Sequence, residues 1–255
     1  MSTQTQKIAL ITGGSRGLGR NTAESLGRKG VDSVITYHSR AEEAQAVVAK
    51  LQAQGRKAAA LQLDTAATKT FDAFAEKLRK ILQEVWGRGS FDYLVNNAGI
   101  SHHAAFSKVT EAELDSLYNA NFKGVFFLTQ KLLPLMNDGG QIVNISSGLT
   151  RFTTPDTIPY ASLKGAVEVF TRYLAKELGP RRITVNTVAP GAIATDFSGG
   201  VVRDNPNVNK VVAGMTALGR VGVPDDIGPM IASLLSDANR WVTGQRIEVS
   251  GGMVL

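Results

Sequence analysis

Apolar residues along this chain fall into two alternating patterns. Short β-branched runs occupy residues 8–11, 33–37, 58–63, 93–95, 141–145, 183–188 and 246–249. Between them lie longer stretches with apolar positions three and four apart: 41–54, 71–86, 111–135, 158–178 and 225–235, besides a helix that follows the first strand and runs to about Lys29. The stretch 71–86 places Phe71, Phe74, Ala75, Leu78, Ile81, Leu82 and Val85 on one stripe, the signature of an amphipathic helix. Strand–helix alternation sustained over the whole length predicts an α/β fold: a doubly wound, Rossmann-like parallel sheet of about seven strands, with right-handed crossovers and helices on both faces. No repeat, low-complexity tract or Pro/Gly/Ser linker interrupts it, so residues 1–255 are expected to form one domain. Residues 197–222 differ, with Gly199-Gly200, Asn205-Pro206-Asn207 and Gly214 set in weak apolar spacing. Long irregular insertions in compact domains commonly serve function, and this one is expected to be a substrate lid.

Composition narrows the picture. The chain has no cysteine, which excludes disulfides, a thiol nucleophile and thiolate zinc sites. Residues 1–7 lack an apolar stretch behind a basic one, so no secretory signal is read there. The longest apolar candidate, 124–136, is broken by Gln130, Lys131 and Pro134 and falls short of a membrane span. A cytoplasmic protein with no membrane partner is expected. The net charge of +6 comes from scattered residues with no basic block. That argues against a nucleic-acid partner and suits a phosphorylated small molecule. Glycine, 26 of 255 residues, exceeds its usual ~7% and asks for tight turns or close backbone approach.

The first such turn is Thr12-Gly13-Gly14-Ser15-Arg16-Gly17-Leu18-Gly19-Arg20, between a strand and a helix. Glycines there let backbone approach a pyrophosphate, which the free N–H groups of the helix start attract, with a side chain at Gly17 or Gly19 expected to block that approach. Such turns also occur without a ligand. In dinucleotide sites an acidic residue about twenty positions on holds the adenosine ribose 2′-hydroxyl. Here the second strand ends Thr36-Tyr37-His38-Ser39-Arg40, with no acid. Ser39, Arg40 and Arg16 suit a 2′-phosphate, which points to NADP(H). Taken singly, Arg40 reads equally well as a solvated first-turn residue.

Tyr160 and Lys164 stand one helical turn apart in Tyr160-Ala161-Ser162-Leu163-Lys164. A cation one turn away is expected to lower the phenol pKa from its usual value near 10 and ready it for proton transfer to a carbonyl oxygen. Such a pair is often incidental. Ser147, ending Asn144-Ile145-Ser146-Ser147 at the C-terminal end of a strand, supplies a hydroxyl donor where ligands of open α/β sheets bind.

From residue 7 to its end the chain resembles the short-chain dehydrogenase/reductase family. The resemblance rests on Thr12-Gly13-x-x-x-Gly17-x-Gly19, Asn96-Asn97-Ala98-Gly99, Asn121, Ser147, Tyr160-x-x-x-Lys164, Pro190-Gly191 and the tail from Gly244-Gln245 to Gly251-Gly252. It implies Tyr160 as the proton donor. It implies Lys164 as the residue that holds the nicotinamide ribose and lowers the Tyr160 pKa, Ser147 as the group that polarises the carbonyl, and Asn121, rather than Asn119, as the holder of a relay water in a kinked helix. The implied cofactor contacts are Gly13, Ser15, Arg16, Gly17, Leu18 and Gly19; Tyr37, His38, Ser39 and Arg40; Asp64 and Thr65; Asn97, Ala98 and Gly99; and Pro190, Gly191, Ile193 and Thr195, together with Tyr160 and Lys164. The implied reaction is hydride transfer from NADPH to a ketone or aldehyde, and the implied assembly a homotetramer.

Substrate-pocket candidates are Ser101, His103, Leu149, Phe152, Phe197 and Val201, with Arg151, Ile158, Ala192 and Val202 beside them, mostly apolar with a few polar handles. The adjacent His102 and His103 are expected to diverge rather than share a metal, since no Cys, Asp or Glu flanks them. Overall look also resembles 3-oxoacyl-carrier-protein reductases, which dock an acidic carrier on basic residues. Arg181 stands in one such place, but the other reads Met136-Asn137-Asp138-Gly139-Gly140, and an Asp repels an acidic carrier. A general NADPH-dependent carbonyl reductase therefore ranks ahead of a carrier-protein reductase, then a sugar or alcohol dehydrogenase. A non-catalytic NADP-binding protein predicts a broken triad, whereas Ser147, Tyr160 and Lys164 are all present.

Overall fold

A computed structural model of the chain describes residues 6–255, so most of the segment read for a signal lies outside the described residues. The strands are β1 (Ile8–Ile11), β2 (Asp32–Tyr37), β3 (Ala58–Gln62), β4 (Phe91–Asn96), β5 (Met136–Ile145), β6 (Thr184–Pro190) and β7 (Arg246–Val249). All pair in parallel in one seven-stranded sheet of order β3-β2-β1-β4-β5-β6-β7. Helices α1 (Gly17–Arg28), α2 (Ala41–Ala53) and α3 (Phe71–Trp86) cross between the first four strands, and α6 (Ile158–Glu177) leads from β5 to β6. The expected doubly wound sheet is the observed one.

Period-two geometry explains why the strands read as unbroken apolar runs. Ile8 and Leu10 face a core shared with Phe71, Phe74, Leu78 and Leu82 of α3 and Leu174 of α6. Ala9 and Ile11 face the opposite core, with Ala23 and Leu26 of α1 and Val47 and Leu51 of α2. Both faces of each central strand are buried, so apolar residues dominate both, and polar side chains buried among them, such as Asn96 and Asn144, find hydrogen-bond partners there.

Two predicted elements are realised differently. The stretch 111–135 is three pieces: α4 (Glu111–Tyr118), a π-helical turn Asn119–Lys123, and α5 (Gly124–Leu132), followed by a 3₁₀ turn through Leu135. A 3/4 apolar period survives a single wide turn, so periodicity alone does not reveal it. Residues 197–222 are less irregular than expected. They hold a left-handed turn at Ser198, Gly199 and Gly200, with φ of +54°, +69° and +78°, then α7 (Val201–Asp204) and α8 (Pro206–Gly214), and α9 (Pro224–Leu234) follows. Asn205 caps α8, accepting from the N–H groups of Asn207 and Val208, with Pro206 at the first helical position. Asn-Pro marks a helix start here rather than a loop. Among the described residues no helix is long and apolar enough to cross a membrane.

The order of the sheet reverses between β1 and β4, because the chain winds outward to β3 and then restarts on the other side of β1. Ligands of open parallel sheets bind beyond the C-terminal strand ends at such a switch point. The opposite end is fastened by Asp92, buried at the start of β4. It accepts from the Ile8 N–H (2.9 Å) and Asn137 Nδ2 (3.0 Å), and pairs with Lys7 and Arg88. Burial pushes this carboxyl up, but those donors and cations outweigh it and hold the pKa below the usual carboxylate range. A depressed pKa stabilises the fold above the ordinary carboxylate range and ceases to do so in acid. Asp92→Ala is expected to lower unfolding free energy by about 2 kcal/mol at neutral pH in urea titrations. The gap to wild type should narrow as the pH falls below about 4.

Candidate active site

The turn after β1 and the strand end after β4 are tied together. Thr12 Oγ1 accepts from the N–H groups of Asn97 and Ala98, both at 2.9 Å. Asn97 Nδ2 returns donors to the carbonyls of Thr12 (2.8 Å) and Gly13 (3.2 Å). Gly13 and Gly17 have φ of +64° and +55°, which L side chains rarely adopt. The third glycine has a different reason from the expected one: a Cβ on Gly19 would sit 2.2 Å from the Gly13 carbonyl oxygen, so the turn itself excludes it. The expected blocking role of Gly17 comes from its backbone conformation, since a Cβ there would make only ordinary contact with Thr195, 3.8 Å away. No side chain caps the first turn of α1, which leaves its N–H groups to an anion.

A cleft of about 740 Å³ runs from this turn across the strand ends. Of the expected cofactor contacts, all except Gly19 line it: Ser15, Arg16 and Leu18 in the turn, Tyr37 to Arg40 past β2, Asp64 and Thr65 past β3, Ala98 and Gly99 past β4, and Pro190, Gly191, Ile193 and Thr195 past β6. Gly19 lies behind, beneath Gly13. Arg16 pairs with Asp196 at 3.4 Å and Arg40 with Glu43, both exposed, and no Asp or Glu stands within 37–40. Asp64 accepts from the Ala66 N–H (2.9 Å) and lies 3.8 Å from His38.

At the other end of the cleft stand Ser147, Tyr160 and Lys164. Ser147 has extended backbone just beyond β5, and its hydroxyl accepts from the Leu149 N–H (3.2 Å). Tyr160 and Lys164 project from α6, both buried, with Lys164 Nζ 5.6 Å from the centre of the Tyr160 ring. Lys164 Nζ donates to the Ile145 carbonyl (2.9 Å). Burial pushes the Tyr160 phenol above its ordinary pKa, and a hydrogen bond with Ser147 pulls it only part of the way back. The expected lowering by Lys164 is therefore not what this site shows. Burial also depresses the lysine, to about 8, so it still carries its charge at neutral pH and loses it a little above.

Asn121 sits in the π turn, fully buried, and does not itself line the cleft. Its Nδ2 donates to the carbonyls of Ile100 (3.0 Å) and Leu117 (3.1 Å), and its Oδ1 accepts from the Ile100 N–H (3.2 Å). The expected kink is present, and Gly124 closes it: a Cβ there would meet the Thr65 carbonyl oxygen at 1.9 Å.

The expected substrate-pocket residues Ser101, His103, Leu149, Phe152, Phe197 and Val201 line the same cleft, as do Ala192 and Val202. The Phe197 ring lies 6.0 Å from that of Tyr160. Arg151 and Ile158 do not line it. Arg151 turns to Glu248 and the carbonyls of Met253 and Val254, and Ile158 is 52% exposed at the start of α6. His102 and His103 diverge, but not for want of a carboxylate: His102 lies 3.2 Å from Glu113, while His103 faces Ser198. Met215 and Met253 complete the apolar wall, brought there by α8 and the chain end, which no local motif announces. Ser198 joins the rim, with its hydroxyl 2.8 Å from that of Ser101.

Residues 13–254 match the family model described as Enoyl-(Acyl carrier protein) reductase. The chain is 37% identical to the tetrahydroxynaphthalene reductase PfmaG of Pestalotiopsis fici, over 97% of this chain and 91% of that one. It is 36% identical to the 3-oxoacyl-[acyl-carrier-protein] reductase FabG of Staphylococcus aureus, with 98% of each covered. Among solved structures, the angucycline C-6 ketoreductase LanV with bound NADP superposes with a TM-score of 0.92 at 37% identity, covering 97% of this chain and 95% of that one. The promiscuous reductase LugOII, which catalyses keto-reduction at C1 in lugdunomycin biosynthesis, superposes with a TM-score of 0.93 at 38% identity over the whole of both. Fold, motif order and these likenesses agree: the chain is an oxidoreductase and belongs to the short-chain dehydrogenase/reductase family.

Proposed function

We propose that this chain is an NADPH-dependent carbonyl reductase acting on a ketone carried by a flat, largely apolar, hydroxylated ring system. The observation that carries the reading is one continuous cleft with an uncapped phosphate cradle at one end and Ser147, Tyr160 and Lys164 at the other. The cradle fits the cofactor. The α1 turn takes the pyrophosphate, Ser39, Arg40 and Arg16 take the 2′-phosphate, Asp64 borders the adenine, Asn97 to Gly99 pass the adenine ribose, and Lys164 and Pro190 to Thr195 hold the nicotinamide half. When bound, NADPH supplies the hydride. Ser147 donates to the substrate carbonyl oxygen and fixes its direction. Tyr160 gives its phenolic proton to the same oxygen, and its raised pKa keeps it protonated for that task at neutral pH. Lys164, charged at neutral pH, holds positive charge beside the phenol as that proton leaves, and Asn121 shapes the back of the site through Ile100.

Phe152, Phe197, Leu149 and Met215 supply apolar contact for a ring, and Ser101, His103 and Ser198 supply hydrogen bonds at the rim. The ring-ketone reductions named for LanV and LugOII and the naphthol reductase PfmaG support this class. The FabG likeness keeps a carrier-bound 3-oxoacyl thioester as a second reading. Against it, Arg181 is engaged by Asp138 at 2.7 Å and by the carbonyls of Leu133 and Met136. Residues 197–222 serve as the lid within a single domain of residues 1–255. Family resemblance supports a cytoplasmic homotetramer, for which Leu114, Phe127 and Tyr173 on α4 to α6 offer exposed apolar surface.

Three outcomes test the reading, with turnover followed by loss of the reduced cofactor's absorbance. Tyr160→Phe should lower kcat by about a hundredfold or more while NADPH still binds, as read by fluorescence titration; a variant turning over at the wild-type rate removes the mechanism. NADPH should be preferred over NADH by at least about tenfold, and Arg16→Ala with Arg40→Ala should erase most of that margin. The kcat/KM for reduction should fall as the pH rises through about 8, where Lys164 loses its proton. A substrate panel of fused-ring ketones, simple aldehydes and acetoacetyl thioesters discriminates the two readings: turnover of the thioester alone favours the second.

A further inference from the structure

Tyr160 and Lys164 share one face of α6, and one turn further along that face is Glu168. Its side chain is 12% exposed, and its Oε1 accepts from Ser146 Oγ (2.7 Å), Thr150 Oγ1 (2.7 Å) and Arg246 Nε (2.8 Å). These three donors bracket Ser147. Ser146 precedes it in the chain. The Thr150 hydroxyl, whose one proton goes to the carboxylate at the shorter distance, also lies 2.9 Å from the Ser147 carbonyl, and Arg246 donates to that carbonyl at 3.3 Å through a second guanidinium nitrogen. Arg246 on β7 is held in turn by Glu248 (3.0 Å), which Arg151 grips with two nitrogens at 2.7 and 2.9 Å. Burial pushes the Glu248 carboxyl up, but its bonds from Arg151, Arg246 and Ser250 outweigh this and hold it at about 2.

The segment that carries Ser147 lies just past β5, tied to β6 by the Ser146 N–H on the Val188 carbonyl (2.8 Å); Ser147 itself is held locally by the Leu149 N–H on its hydroxyl and the Thr150 N–H (3.3 Å) on its carbonyl. A hydroxyl that must point at a reacting oxygen loses much of its effect through a displacement of an ångström. We propose that Glu168, with Arg246, is a positioning residue for Ser147: one carboxylate oxygen gathers the side chains on either side of it and orients the arginine that grips its carbonyl. The carboxylate suits this role because an ionised oxygen accepts several donors at once, whereas Gln accepts more weakly and brings an N–H₂ group of its own. This rests on the reading of Ser147 as the carbonyl donor.

Glu168→Gln should lower kcat for the best ketone substrate by about ten- to a hundredfold, while the Kd for NADPH and the thermal midpoint stay near wild type. The same substitution in a Ser147→Ala background should cost less than about a further twofold, because its effect passes through a hydroxyl no longer present. Arg246→Lys, which keeps the charge but not the fork, should behave alike and serves in its place if Glu168→Gln melts below the assay temperature. A wild-type kcat in both single variants overturns the proposal, and so does a full, additive loss in the Ser147→Ala background. If Ser147→Ala alone turns over at the wild-type rate, the functional reading of Ser147 has failed and the proposal falls with it. An inactive Ser147→Ala beside a fully active Glu168→Gln sinks the positioning role alone.

Discussion

The hydrogen bonds between Thr12 and the Asn97–Ala98 backbone hold the site together. They cross the point where the sheet changes direction, and so join two loops separated by more than eighty residues of chain. A parallel sheet leaves its strand ends as diverging loops, and at the switch point the two adjacent loops go opposite ways. Unless something spans the gap, the phosphate turn after β1 and the backbone after β4 have no fixed relation. Thr12 supplies the acceptor, Asn97 the returning donors, and the positive φ of Gly13 brings the backbone to both. The rest of the cleft is built outward from that junction.

Burial sets the chemistry at the far end. Tyr160 and Lys164 are each enclosed, and for both the cost of charging in a poorly solvated site outweighs the attraction between them. A phenol held protonated is a proton donor, and a lysine poised near neutrality changes its charge with modest changes in surroundings. Charge in this region is instead gathered one turn away, where Glu168, Arg246, Glu248 and Arg151 form a continuous run of ion pairs from α6 to the chain end. These ion pairs lie beside Tyr160 and Lys164 rather than between them.

Most of the fold was legible in the sequence because the strands are buried on both faces and the helices on one. Those two burial regimes write different periods, and the seven runs fall close to the observed strands. The site was legible where a motif is local. Tyr160 and Lys164 are a helical turn apart, and the glycine turn spans few residues. The π turn at Asn119–Lys123 left no mark in the periodicity, because it adds one residue to a period that tolerates it, and the kink at Asn121 was implied by the family resemblance alone. The helical nature of 201–214 escaped because Asn205-Pro206 is both a turn signal and a cap.

Sequence by itself thus determined the layer architecture, the lack of an acid after β2, and most, not all, of the residues that line the cleft: Gly19, Arg151 and Ile158 lie off it, and Met215, Met253 and Ser198 join it. It did not determine their proton affinities, since desolvation depends on what covers a group, and Tyr160 is covered by elements distant in the chain. Nor did it determine which charges pair. Arg151 adjoins the pocket residue Phe152 in sequence yet is drawn away to Glu248, and Arg181 is engaged by Asp138. Glu168, unremarkable in the sequence, acquires three donors only when β5, β7 and α6 come together. Local spacing fixes which groups share an element; electrostatics acts through space, and only the packed chain decides which charges meet.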